Sequence, residues 1–339
     1  MAVGIKDVAL KAGVSSATVS RVLAQKPYIR ESVRHRVLKA VKELGYQPSR
    51  VARSLRVRTS QIIGIIIPDI QNFFYTSLVR AIEDQAYAHK YTVFLCNTDE
   101  DPHKEALYID LMLAEQVAGV IIAPARETGS SLRKLLAMNI PVVAVDRRIT
   151  DMDLDLVVLN NVAASYELVA HLVKQGHRRI AAILGSFEMT TGQMRFEGYK
   201  AALAEGGIDL DPTLIRSGPP KEEFGYQGAS ELLDLPEPPT AFFTGNNMLT
   251  IGALRAIHER GLAIPRDLSL VAFDDLDWMS LISPKLTVIA QPTYEMGKRS
   301  FDLLLKRISE PDHPFEQIIF KAELKIREST WPLEIFERR

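Results

Sequence analysis

Apolar positions in the first fifty residues recur with helical spacing. Ile5, Val8, Ala9 and Ala12 follow the i, i+3, i+4, i+7 rhythm of one helix face, and Val19, Val22 and Leu23 repeat it beyond Gly13. Gly13 suits a tight turn and Ser15 is a good N-cap for the second segment, so residues 5–23 predict two short helices joined by a turn. Ser16, Ala17, Ser20 and Arg21 then point outward. A third stripe, Val33, Val37, Ala40, Val41 and Leu44, predicts a helix from Glu31 to Leu44 that ends at Gly45 in the C′ manner. The following Tyr46-Gln47-Pro48 cannot continue it without strain. Ser49 can cap a last segment, residues 50–56, which is too short to be a stable helix alone in water and folds only when docked.

After residue 60 the rhythm changes to apolar runs alternating with amphipathic helices. Ile62 to Ile67, Thr92 to Leu95, Val117 to Ala123 and Pro141 to Val145 read as strands buried on both faces, as parallel sheets require. The pattern restarts at Ile180 to Leu184, Leu214-Ile215, Ala241 to Phe243 and Leu268 to Phe273. The predicted class is α/β: a three-helix helix-turn-helix headpiece, then a two-lobed body of doubly wound parallel sheets.

Charge sharpens the division of labour. Residues 1–60 hold 13 Lys plus Arg against 3 Asp plus Glu, whereas the remaining residues hold 28 against 39, so the near-neutral total hides a basic head on an acidic body. Counterion release from phosphates favours nucleic acid on such a head and repels the body from the same polyanion. Small side chains at a helix N-terminus let backbone approach a groove, and an arginine one turn later can reach base edges.

The headpiece, its Tyr46-Gln47-Pro48 exit and the segment Val51-Ala52-Arg53-Ser54-Leu55-Arg56 resemble the lactose-repressor and galactose-repressor family of bacterial transcription regulators, and the likeness extends over nearly the whole chain. The resemblance implies a headpiece at 1–48, a hinge helix and linker at 49–60, and an effector-binding and dimerisation domain at 61–339. Its body is related to periplasmic sugar-binding proteins, with one lobe at about 61–160 and 292–320 and the other at about 161–291 and 321–330. It further implies that Ser16, Ala17 and Arg21 read bases, that Ser15 and Thr18 hold phosphates, and that Leu55, flanked by Arg53, wedges into the minor groove and kinks the duplex. The implied partners are near-palindromic double-stranded operator DNA, a second copy of the chain and a small-molecule effector.

Strand ends in the body are rich in groups suited to a polyhydroxylated ligand. By the same resemblance Phe73, Asp146, Thr191, Arg195, Asn246, Asp274 and Gln291 occupy effector-pocket positions. Arg126 and Arg147 are additional. Planar guanidinium groups match carboxylates and phosphates, so together with Arg195 they suggest an anionic effector, a sugar acid, keto-sugar acid or sugar phosphate, where the rest of the pattern suits a plain sugar. Pairing of these arginines with Glu127 or Asp151 is the competing expectation. The family pattern departs at Ser217-Gly218-Pro219-Pro220, where an aromatic often stacks on the ligand; Phe224 and Trp278 are the candidates to replace it.

Other classes find little support. Asp274, Asp275 and Asp277 lack a second acid at a separation suited to glycoside hydrolysis, and neither a phosphate loop, a nucleophile elbow nor a metal-binding histidine pair occurs, so no catalysis, cofactor or metal is expected. A sugar-binding module without DNA function is the remaining alternative. The lone Cys96 rules out an internal disulfide. No apolar run is long enough to span a bilayer and no secretory run opens the chain, so the expected location is the cytoplasm. Residues 328–339 carry no sustained heptad, which argues against a coiled-coil tetramerisation tail.

Overall fold

The computed structural model describes residues 3–23, 26, 28–46 and 60–332. Arg53 and Leu55, assigned above to the minor groove, lie outside the described residues. The chain divides into a unit up to Ser60 and a unit from Gln61 onward.

The first unit contains α1 (Ile5–Ala12), α2 (Ser16–Leu23) and α3 (Glu31–Leu44). Gly13 ends α1 and Gly45 ends α3, at φ 62° and 59°, the left-handed geometry that glycine adopts without a Cβ penalty. The apolar stripes meet in one small core of Val8, Ala9, Ala12, Val19, Val22, Val37 and Ala40.

Two six-stranded sheets build the second unit. The first has β1 (Ile62–Ile67), β2 (Thr92–Asn97), β3 (Gly119–Ile122), β4 (Val142–Val145), β5 (Asp155–Leu159) and β11 (Gln317–Phe320), in the spatial order β11-β5-β4-β3-β1-β2, all parallel. Helices α4 (Phe73–Ala88) and α11 (Thr293–Ser309) cover one face, while α5 (Pro102–Ala114) and α6 (Arg133–Ala137) cover the other. The second sheet has β6 (Ile180–Gly185), β7 (Ile215–Gly218), β8 (Ala241–Thr244), β9 (Ser269–Phe273), β10 (Thr287–Ala290) and β12 (Glu323–Lys325), ordered β12-β10-β9-β8-β6-β7, with only β12 antiparallel. Here α7 (Asn161–Lys174) and α8 (Thr190–Glu205) pack on one face, α9 (Glu222–Leu233) and α10 (Asn247–Glu259) on the other. Burial of both faces explains the unbroken apolar strands.

The chain passes from one lobe to the other after β5, after β10 and after β11. The sequence pattern did not predict β5, whose opening Asp155 breaks the apolar run. Asp155 is buried against Arg307, which donates to it at 2.8 and 3.1 Å. Near residue 214 the strand starts one residue later than expected, because Leu214 closes a 3-10 turn capped by Asp211. Close approach of α9 and α10 requires Gly252: a Cβ there would lie 2.0 Å from the Glu222 carbonyl oxygen. No helix among the described residues is long and apolar enough to cross a membrane.

Candidate functional site

In the first unit α2 presents the polar face predicted for it. Ser15 caps α2: its Oγ accepts from the Thr18 amide at 3.2 Å and lies 2.9 Å from Thr18 Oγ1. Ser16 is half-buried, Ala17 is exposed, and Arg21 is exposed with no ion pair or side-chain hydrogen bond among the described residues. The acidic side chains of this unit are committed elsewhere. Asp7 accepts from the Gly4 amide, Glu31 lies 3.7 Å from Arg34, and Glu43 pairs with Lys11 at 2.9 Å. The basic charge around α2 is therefore not neutralised locally.

In the second unit a cavity of about 960 Å³ lies at the carboxyl ends of both sheets. Doubly wound sheets place ligands there because strand-end loops and helix N-termini converge. Two aspartates mark it, one from each lobe. Asp146 follows β4 at φ 67° and Asp274 follows β9 at φ 78°, a left-handed backbone that non-glycine residues rarely adopt. Such an outlier carries a cost that the surrounding fold must meet, and it clusters at ligand sites.

Asp146 Oδ2 accepts from the Tyr75 hydroxyl at 2.7 Å. Burial raises the Asp146 pKa, and the neighbouring Arg147 and Arg195 guanidinium groups work against that rise. Asp274 Oδ2 accepts from the backbone and side-chain nitrogens of Asn247, at 3.0 and 2.8 Å, and its Oδ1 accepts from Gln291 Nε2 at 2.6 Å. Between them lies Arg195, which reaches in from α8 over the Phe273 ring at 3.7 Å. Its Nε donates to Asn161 Oδ1 at 2.8 Å and its Nη1 to the Gly245 carbonyl, leaving Nη2 without a partner among the described residues. Burial lowers its pKa, countered by Asp274 and Asp146.

Arg147 is not an unpaired cation. It is buried, and its Nη1 and Nη2 each donate to one Glu100 carboxylate oxygen at 2.6 Å. Nη1 also reaches the Pro124 carbonyl at 3.1 Å. Burial opposes its charge, but Tyr75, Glu100 and Asp146 around it outweigh that, so its pKa is raised. The competing expectation of an acidic partner therefore holds, with Glu100 in the place of Glu127 or Asp151. Asp151 pairs with Arg133 instead, at 3.0 Å, and Glu127 accepts from Gln193 in the other lobe, also at 3.0 Å. Arg126 is exposed at the cavity edge. Seven carboxylates line the cavity against four cations, Arg126, Arg147, Arg195 and Lys221.

Thr191, Asn246 and Gln291 also border the cavity. Asn246 doubles as the cap of α10, its Oδ1 accepting from the Leu249 amide at 2.8 Å. Phe73 departs from expectation. It is half exposed and outside the lining, which Phe74 and Tyr75 supply instead. The reason is helix phase: Asn72 caps α4, and the residues after Phe73 then turn toward the core. On the far side Gly218, Pro219 and Pro220 border the cavity, whereas Phe224 packs against Gly218 and neither it nor Trp278 lines the space. Sequence reasoning missed Tyr75 and Glu100. Glu100 sits just past β2, which runs to Asn97, two residues beyond the end that the apolar run predicts.

Two buried polar atoms of lining residues, Arg147 Nε and Gln291 Oε1, have no hydrogen-bond partner among the described residues, and neither does Oδ1 of the fully buried Asn247, which is outside the lining. No cluster of His, Cys, Asp or Glu among the described residues could hold a metal ion.

Comparisons with known proteins agree with this arrangement. Residues 4–49 match the family model of bacterial regulatory proteins, lacI family, and residues 60–328 match that of periplasmic binding proteins and the sugar binding domain of the LacI family. The HTH-type transcriptional repressor PurR of Histophilus somni is 35% identical over 326 residues, which is 96% of this chain and 98% of the relative. The Lac repressor dimer bound to operator and the anti-inducer ONPF matches with a TM-score of 0.83 at 28% identity, over 98% of this chain and 100% of that one. A LacI family transcriptional regulator from Enterococcus faecium with bound ribose matches with a TM-score of 0.74 at 32% identity, over 80% of this chain and 99% of that one. Matched in its head and its body alike, the chain belongs to the LacI family of bacterial regulatory proteins.

Proposed function

We propose that this chain is a transcriptional repressor that binds near-palindromic operator DNA as a homodimer, and that an uncharged sugar bound between its lobes sets its operator affinity. On the DNA side Ser16, Ala17 and Arg21 face base edges, Ser15 and Thr18 face phosphates, and Arg53 and Leu55 enter the minor groove. Asp146, Thr191, Arg195, Asn246, Asp274 and Gln291 hold the effector, with Arg126 at the edge and Arg147 anchored beside it.

The observation that carries the effector class is that two buried aspartates, one from each lobe, line the cavity together with Arg195, whose Nη2 has no partner among the described residues. A sugar hydroxyl donates and accepts at once, so vicinal hydroxyls fit between carboxylate and guanidinium. Of the two effector classes raised by the sequence, the sugar acid needs spare positive charge. Glu100 occupies Arg147, and carboxylates outnumber cations in the lining, which favours the neutral sugar. The ribose bound by the Enterococcus faecium relative supports the same reading, and the PurR relative, a transcriptional repressor, supports the repressor role.

The test is fluorescence anisotropy of a duplex selected from random sequence by the full chain, across several salt concentrations and with neutral sugars and sugar acids added. The expected result is salt-dependent, sequence-specific binding whose affinity at least one neutral sugar changes about tenfold or more, a coupling of ordinary size. Binding that no sugar alters would defeat the effector half of the proposal; absence of sequence preference would defeat the DNA half.

A further inference from the structure

The turn after β2 is unusual. Asp99 and Glu100 are consecutive non-glycine residues in the left-handed region, at φ 55° and 63°. Neighbouring contacts fix this turn: Asn97 Nδ2 donates to Asp99 Oδ1 at 2.7 Å, Lys104 pairs with Asp99, the Asp101 amide donates to the Thr98 carbonyl at 3.0 Å, and Asp101 caps α5 through the His103 amide at 2.8 Å. A backbone held in so sparse a region at a cavity wall calls for a reason. The outcome of the turn is the delivery of the Glu100 carboxylate onto Arg147 in a fork of two 2.6 Å bonds.

We propose that Glu100 is a specificity-determining residue: by occupying both terminal nitrogens of Arg147 it denies that guanidinium to anionic ligands and so restricts the cavity to uncharged ones. The proposal deepens the effector reading above and rests on it for the choice of sugar. Arg147 faces Asp146 at 3.7 Å, Tyr75 on α4, the Pro124 carbonyl and Met189 from the other lobe. With Glu100 in place, the buried Arg147, Arg195, Asp146 and Asp274 balance, and the partly exposed Glu100 carboxylate adds one net negative charge. An incoming carboxylate or phosphate therefore meets net negative charge and finds the buried Arg147 fork occupied, with only Arg126 at the cavity edge left as a bidentate donor. Neutralising Glu100 would free the fork, and bidentate guanidinium recognition is the strong form of anion binding. A sugar hydroxyl does not depend on that fork, because Arg195 Nη2, Asp146 and Asp274 remain open to it.

Calorimetry with D-ribose and D-ribonate on the full chain tests this. Wild type should bind ribose at least about tenfold more tightly than ribonate. Glu100→Gln should move the ratio toward ribonate by about tenfold or more, whereas Glu100→Asp, which keeps the charge, should retain the wild-type preference. If Glu100→Gln does not fold, Glu100→Ser, which leaves room for water beside Arg147, should shift the ratio the same way. A wild-type preference for ribose that a folded Glu100→Gln leaves unchanged overturns the proposal and spares the effector reading. A wild-type preference for ribonate overturns both. If wild type binds neither sugar, the choice of sugar fails and inorganic phosphate decides the rest: thermal protection gained by Glu100→Gln over wild type supports the proposal, and equal behaviour overturns it.

Discussion

Acidification should destabilise the body through one histidine. His177 precedes β6 and is fully buried, with Nδ1 2.9 Å from Thr240 Oγ1 and Nε2 3.1 Å from both Ser269 Oγ and the Trp331 carbonyl. Burial pushes its pKa down from 6.5 to about 4; the Trp331 carbonyl opposes the shift and nearby His171 adds to it. The sign follows from linkage. Above pH 6.5 the ring is neutral whether the chain is folded or not, and the full stability is present. Between pH 6.5 and about 4 the unfolded chain takes up the proton first, so stability falls as the pH drops through that window.

At 1.36 kcal/mol per unit, the whole window corresponds to about 3 kcal/mol, of which about 2 kcal/mol is lost by pH 5. Urea unfolding at pH 7.5 and pH 5 measures it directly, comparing wild type with His177→Gln. The variant should start less stable, since it loses the fit of the ring, but its stability should fall by about 2 kcal/mol less between the two pH values. Equal losses in the two proteins would show that His177 is not the group responsible and would refute the linkage argument.

Two further outcomes are expected. Arg21→Ala should weaken specific operator binding by about 1–3 kcal/mol while leaving binding to unrelated duplex nearly unchanged, as read by anisotropy at fixed salt; equal losses on both would remove Arg21 from base reading. Gly252→Ala should lower stability by about 1–3 kcal/mol, measured by thermal unfolding, because its Cβ would lie 2.0 Å from a backbone oxygen of α9 that can move only with the helix.

The headpiece was legible in the sequence because each of its helices carries its core on a local stripe, and α1 and α3 end on glycines at positive φ. Parallel strands were legible for a similar reason: burial on two faces demands continuous apolar runs, and β1, β4 and β9 have them. What local pattern could not show is pairing across long stretches of chain. Asp155 reads as a strand breaker until Arg307 arrives from 152 positions away, and Glu100 reads as a solvated acid until Arg147 arrives from 47 positions away. Phe73 and Phe74 are indistinguishable by composition; the phase set by the Asn72 cap decides which of them borders the cavity. Asp146 and Asp274 stand at strand ends that this topology aims at the cleft, and Arg195 lies in α8; the family resemblance singled out all three.

The cavity also bears on how a ligand could act at a distance. Bonds already cross between the lobes around it: Asn247 Nδ2 donates to Asn72 Oδ1 at 2.8 Å, Gln193 Nε2 to Glu127 Oε1 at 3.0 Å, and the Arg148 amide to Thr190 Oγ1 at 3.1 Å. Two of these are neutral hydrogen bonds, worth about 0.5–1.5 kcal/mol net each, and the one to the Glu127 carboxylate is worth about 1.5–3 kcal/mol, so together they hold the lobes with only modest preference over a wider opening. A ligand shifts such an equilibrium only by its differential affinity for the two arrangements. Asp146 belongs to one lobe and Asp274 and Arg195 to the other, so a molecule that bonds to all three gains contacts only when the lobes are close. A molecule held by one lobe alone, however tightly, would leave the equilibrium where it was.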